Sequence, residues 1–153
     1  MKYLPYSGHE GYVNDFYDIL FTTNFERLAL QHLSNYCNFK GCYANDEMAC
    51  VFSAEMQADD AEYFGDNKVA YYFYEPAVKE DCAIFLDYAE FYKAVRENYE
   101  KHSALFGDRK NEMAGLLNKL RENLKLNDAQ KKETRNEYTG TVQADTCPLL
   151  PAR

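Results

Sequence analysis

The side chains of this chain that could do chemistry are five cysteines, three histidines and a dense run of carboxylates. Cys37, Cys42 and Cys50 follow one another as Cys-x4-Cys-x7-Cys, which matches no common zinc spacing. His32 and Cys37 could bracket a metal or form a thiol–imidazole pair. His32 falls inside a helical pattern, however, and reads as a side chain at the surface or the core edge. Asp60-Ala61-Glu62-Tyr63-Phe64-Gly65 opens like a calcium loop, with acids at positions one and three and glycine at six. Phe64 then stands at position five and Tyr71 at position twelve, where oxygen ligands are required, so the loop fails. The chain has no phosphate-binding glycine loop and no Gly-x-Ser-x-Gly turn. Asp59, Asp60 and Glu62 leave open a small cytosolic hydrolase that works with paired carboxylates, although sequence gives no distance between them. The expectation is a protein without catalytic residues, metal or cofactor.

Charge is the more informative signal. Between Ala44 and Glu90 there are twelve acidic residues and only two basic ones, Lys68 and Lys79. The whole chain of 153 residues carries −8. The same acidic stretch contains Val69-Ala70-Tyr71-Tyr72-Phe73-Tyr74, the most aromatic segment of a chain with 14 tyrosines and 10 phenylalanines. Acidic groups around an aromatic platform can hold a cationic partner, the charges steering the encounter and the rings supplying contact area. A solvated acidic face that aids solubility is the plainer reading of a charge run alone. An acidic balance argues against direct binding to nucleic acid, whose phosphates need lysine and arginine. The basic residues of the last helix (Arg109, Lys110, Lys119, Arg121 and Lys125) read as a solvated face.

Around these residues the periodicity places a small set of elements. Residues 1–11, with Pro5, Gly8 and Gly11, read as an irregular lead-in. A helical stripe of Tyr12, Phe16, Ile19 and Leu20 follows. It breaks at Thr22-Thr23-Asn24 and continues through Phe25, Leu28, Ala29, Leu33 and Tyr36. Asn38 to Asp46 reads as a loop, Met48 to Glu55 as a strand, and Glu55 to Asn67 as an acidic connection. Lys68 to Glu75 is the clearest strand, with Val69, Tyr71 and Phe73 on one face and Ala70, Tyr72 and Tyr74 on the other. Pro76 ends it, and Asp81 to Leu86 forms its hairpin partner. Asp87-Tyr88-Ala89-Glu90 has the spacing of a capping box. It opens a helix with Phe91, Val95 and Tyr99 inside, and a last helix runs from about Arg109 to Lys125. The expected fold is α+β in the order α-α-β-β-β-α-α, a small antiparallel sheet of about three strands packed with N- and C-terminal helices. Residues 1–126 are expected to form one domain, and 127–153 a polar tail, disordered or loosely packed.

Asp59-Asp60-Ala61-Glu62-Tyr63-Phe64-Gly65-Asp66-Asn67-Lys68-Val69, followed after the next strand by Tyr88-Ala89-Glu90-Phe91-Tyr92, resembles the immunity proteins of bacterial contact-dependent growth inhibition systems. The likeness is to the group associated with ribonuclease toxins, and it covers roughly residues 16–101. It implies a small cytoplasmic protein, not an enzyme, that binds and neutralises the C-terminal domain of one cognate toxin, a basic ribonuclease. A generic acidic adaptor for a basic protein fits the same residues. The expected contact residues are Asp59, Asp60, Glu62, Asp66, Tyr72, Tyr74, Glu75 and Glu80. No apolar signal core follows Met1-Lys2, no stretch approaches a membrane span, and the odd cysteine count favours reduced thiols; all three agree with a cytoplasmic place.

Overall fold

The computed structural model describes residues 1–23 and 26–126. Strand β1 (Lys2–Pro5) is followed by helices α1 (Glu10–Thr23) and α2 (Glu26–Cys37). Strands β2 (Cys42–Asn45), β3 (Met48–Phe52), β4 (Lys68–Phe73) and β5 (Cys82–Asp87) come next, then helices α3 (Tyr88–Lys101) and α4 (Lys110–Asn123). The strands form one five-stranded sheet in the order β1-β5-β4-β3-β2. All neighbouring pairs are antiparallel except β1 and β5. The α+β class is as expected, but the sheet has five strands where three were expected. The lead-in holds β1 and the start of α1, and the loop after α2 holds β2. The expected strand from Met48 ends at Phe52 and turns into a short 3-10 helix, Ser53–Glu55. The tail expected at 127–153 lies outside the described residues.

Alternation along β4 organises the sheet. Val69, Tyr71 and Phe73 are buried on one face, and register carries that face to Cys50 and Phe52 of β3 and to Ile84 and Leu86 of β5. The helices pack on this side. α1 presents Val13, Phe16, Tyr17 and Leu20, α2 presents Ala29, Leu33 and Tyr36, and α3 presents Phe91, Val95 and Tyr99. Tyr12 and Ile19 of the expected stripe sit only at the edge of this core, whereas Val13 and Tyr17 fill it. Leu28 is a correction: its side chain lies away from the stripe and is 39% exposed.

Three tyrosine hydroxyls tie the layers together inside this core. Tyr17 Oη of α1 lies 2.9 Å from Tyr36 Oη of α2 and 2.6 Å from Tyr71 Oη of β4. Tyr36 Oη reaches Cys42 Sγ of β2 at 3.4 Å. A buried hydroxyl without a partner is costly, so each ring fixes the position of the next. Burial, and after it the neighbouring Cys50 and Cys42 thiols, holds the Tyr17 phenol well above its ordinary value of 10; burial does the same for Tyr36 and Tyr71.

Local backbone devices fix the ends of the elements. Asp87 Oδ1 accepts the Glu90 N–H at 2.8 Å, and Glu90 Oε1 accepts the Asp87 N–H at 3.0 Å, the expected capping box. Glu55 Oε1 accepts N–H bonds from Phe52 and Gly41, which pins the entry of β2 to the end of β3. Gly41 has no alternative there, since a Cβ would fall 1.7 Å from the Cys50 carbonyl oxygen.

The packing sets three expectations. Tyr17→Phe leaves two buried hydroxyls without their shared partner and is expected to cost about 1–3 kcal/mol in urea unfolding. Because the phenol values in the folded state are raised, the stability they contribute is intact below about pH 10 and is lost as pH rises beyond it. Denaturation followed from pH 8 upward is expected to show that loss; a flat profile would contradict the buried network. Separately, Phe91→Ala is expected to cost about 3–5 kcal/mol, against about 1 kcal/mol for Asp87→Ala. The same unfolding assay ranks the two.

Candidate functional site

The face of the sheet opposite the helices is aromatic, and the connection between β3 and β4 covers only part of it. Register places one row across all five strands: Tyr3 opposite Ala83, Ala83 opposite Tyr72, Tyr72 opposite Ala49, and Ala49 opposite Tyr43. Tyrosine and alanine therefore alternate across the sheet. The tyrosines stand two strands apart, roughly 9–10 Å, with a small residue flooring each gap. Tyr3 and Tyr43 are 64% and 68% exposed, unusual for rings that belong to one continuous face. Tyr3, Tyr72, Ala49 and Tyr43 of this row line an open groove of about 1100 Å³, walled by Met56, Tyr63 and Phe64 of the connection between β3 and β4.

That connection is held across one end of the face by stacked rings. Phe85 of β5 stacks on Tyr3 with centroids 5.6 Å apart and on Phe64 with centroids 5.1 Å apart. Within the connection, Asp60 Oδ2 accepts the Gln57 N–H at 3.0 Å. The Tyr63 hydroxyl donates to Asp66 Oδ1, and Ser53 Oγ accepts the Lys68 N–H at 3.2 Å.

The expected contact residues divide into two groups. Glu62, Tyr72 and Tyr74 line the groove together. The Tyr72 and Tyr74 rings are nearly parallel, 9° apart in plane with centroids at 6.3 Å. Burial, then the neighbouring Tyr74 and Glu62, pushes the Tyr72 phenol up to about 12. The Tyr74 phenol is raised by burial first, then by Tyr43, Asp81 and Glu62. The Glu62 carboxylate is thus close enough to be felt by both rings. Asp59, Asp60, Asp66, Glu75 and Glu80 are exposed but do not line the groove. Asp60 and Asp66 spend one carboxylate oxygen each on local hydrogen bonds. The charge of Asp66 is felt by Tyr88, at the start of α3. Glu75 and Glu80 sit in the connection between β4 and β5, where Glu75 N–H donates to Asp81 Oδ1 at 2.9 Å.

Tyr3, Tyr43, Phe64 and Phe85 complete the face and escape the sequence reading. The first two lie in segments read as irregular. Buried Cys42 and Ala44 on either side of exposed Tyr43 form a period-two signal, but only over four residues.

Chemistry elsewhere is muted. Cys37 Sγ donates to the Leu116 carbonyl at 3.5 Å, and burial raises its thiol. Burial lowers the His32 imidazole, so neither partner is poised as an activated pair. Among the described residues no group of three or more His, Cys, Asp or Glu could hold a metal ion, and no helix is long and apolar enough to cross a membrane.

An open aromatic sheet face with carboxylates along one side is suited to holding another protein. A family model for the CDI immunity protein matches residues 13–117, from within α1 to within α4, and the chain belongs to that family of contact-dependent growth inhibition immunity proteins. Immunity proteins of this kind bind a cognate toxin and are generally not enzymes. No curated protein and no solved structure matches the chain.

The stacked trio sets a prediction. Phe85→Ala removes both partners' stacking and is expected to cost about 1–3 kcal/mol, two ring pairs' worth. Hydrogen exchange is expected to accelerate over residues 56–67 while α1, α2 and α3 keep their protection. Unchanged exchange in that segment would show that Phe64 does not hold it.

Proposed function

We propose that this chain neutralises a basic ribonuclease toxin in the cytoplasm by seating it on the aromatic face of the sheet, with the acidic connection as the charged rim. The observation that carries the reading is the tyrosine row bordered by the acidic segment. It combines exposed rings, which make good anchors, with the sign of charge that would attract an RNA-binding surface. A toxin that grips RNA phosphates needs lysines and arginines. A partner covering those residues competes with RNA directly.

Charge and rings have separable effects in this account. Carboxylates steer association, and buried rings hold the complex together. Asp59, Asp60, Glu62, Asp66, Glu75 and Glu80 act in the first role, Tyr72 and Tyr74 in the second.

The test uses the cognate toxin domain, in a binding and growth-protection assay. Asp59→Lys/Asp60→Lys/Glu62→Lys is expected to slow association at least tenfold at low salt, with the gap closing as salt rises. Tyr72→Ala is expected to weaken binding by about 2 kcal/mol or more, chiefly through faster dissociation. If both variants bind and protect as the parent does, the toxin docks elsewhere and the acidic segment is only a solubilising face.

A further inference from the structure

Within the groove, one spot combines features that the rest of the face lacks. Tyr72 and Tyr74 present parallel rings with centroids 6.3 Å apart, so a cation resting on the outer face of either ring lies within the roughly 6 Å reach of that ring's centroid and against a continuous aromatic pair. Glu62 lines the same groove, its charge reaches both phenols, and it makes no ion pair among the described residues, whose salt bridges join Lys101 and His102 to Asp18 and Arg109 to Glu112. Asp81 adds a second negative charge near Tyr74. Ala49, between Tyr72 and Tyr43 in the row, lines the groove beside the pair. Lys68, the basic residue that also lines the groove, runs its stem along Gly65.

We infer that the Tyr72–Tyr74 pair and Glu62 form a seat for one arginine side chain of the toxin. A guanidinium suits it better than an ammonium for a physical reason. Its flat, weakly hydrated group stacks on ring faces while its N–H fork reaches a carboxylate at the side. The compact and strongly hydrated lysine head gains less from a half-open aromatic site. The seat deepens the proposed function by naming which toxin residue type the face reads, and it rests on that reading.

The test needs no toxin, which separates failure of the seat from failure of the docking face. The parent protein, with its tyrosine ring signals assigned by NMR, is titrated with acetyl-Gly-Arg-Gly-amide, and in parallel with the lysine and citrulline counterparts. Citrulline keeps the shape of arginine without its charge. Saturable shifts are expected at the Tyr72 and Tyr74 rings. The arginine peptide is expected to bind about fivefold or more tighter than the citrulline peptide, the scale of a cation–π contact beside a carboxylate. Lysine is expected to fall between them. Glu62→Gln, at an exposed position, is expected to weaken the arginine peptide about threefold. Tyr74→Leu keeps apolar bulk and is expected to abolish saturation. Equal binding of arginine and citrulline, lysine binding as well as arginine, or shifts confined to other residues would each overturn the seat. Salt-dependent capture of the toxin could still persist in any of those cases.

Discussion

The hydroxyl chain joining Tyr17, Tyr36 and Tyr71 is the constraint on which the rest of the molecule depends. It is buried, and it bonds α1, α2 and β4 to one another and, through Cys42, to β2. Apolar packing alone tolerates sliding and repacking, whereas three buried phenols must each meet a partner at a fixed distance. The network therefore sets which face of the sheet the helices cover. By commiting Tyr71 inward, it also commits Tyr72 outward, because successive strand residues point to opposite faces.

The aromatic face follows from that choice. Helices cover one side only, so the other side carries the rings of Tyr3, Tyr72 and Tyr43, separated by Ala83 and Ala49. Ala49 lines the groove between two of these rings. Across one end of this face lies the acidic connection, anchored by Phe64 on Phe85 of the inner strand β5 and shaped by its own carboxylates. Membership of an immunity family is the ground on which this surface is proposed as the toxin's seat. An aromatic face is costly to expose unless a partner covers it.

Much of this was legible in the residues, and the illegible parts share a cause. The two faces of β4 were readable because six consecutive residues alternate with strong strand formers. The cap at Asp87 was readable because it depends on two side chains three positions apart. Strands β1 and β2 were not, being four residues each and stabilised by partners remote in sequence. β1 even pairs in parallel with β5, across most of the fold. Leu28 shows the limit of helical periodicity, which places an apolar residue on a stripe without knowing where the stripe ends. The acidic residues were identifiable by type, but nothing in their spacing tells that Asp60 and Asp66 bond locally while Glu62 enters the groove. Nor does it tell that Tyr17, Tyr36 and Tyr71 converge.

The partner is proposed to sit on the aromatic face of the sheet and not on the helices. The most direct measurement is an NMR footprint of the complex with the cognate toxin domain, read at aromatic rings and side-chain methyls. The account predicts that the ring signals of Tyr3, Tyr43, Tyr72 and Tyr74 shift or broaden while the exposed sides of α3 and α4 stay as in the free protein. Unperturbed tyrosine rings with a footprint on α3 and α4 would contradict it.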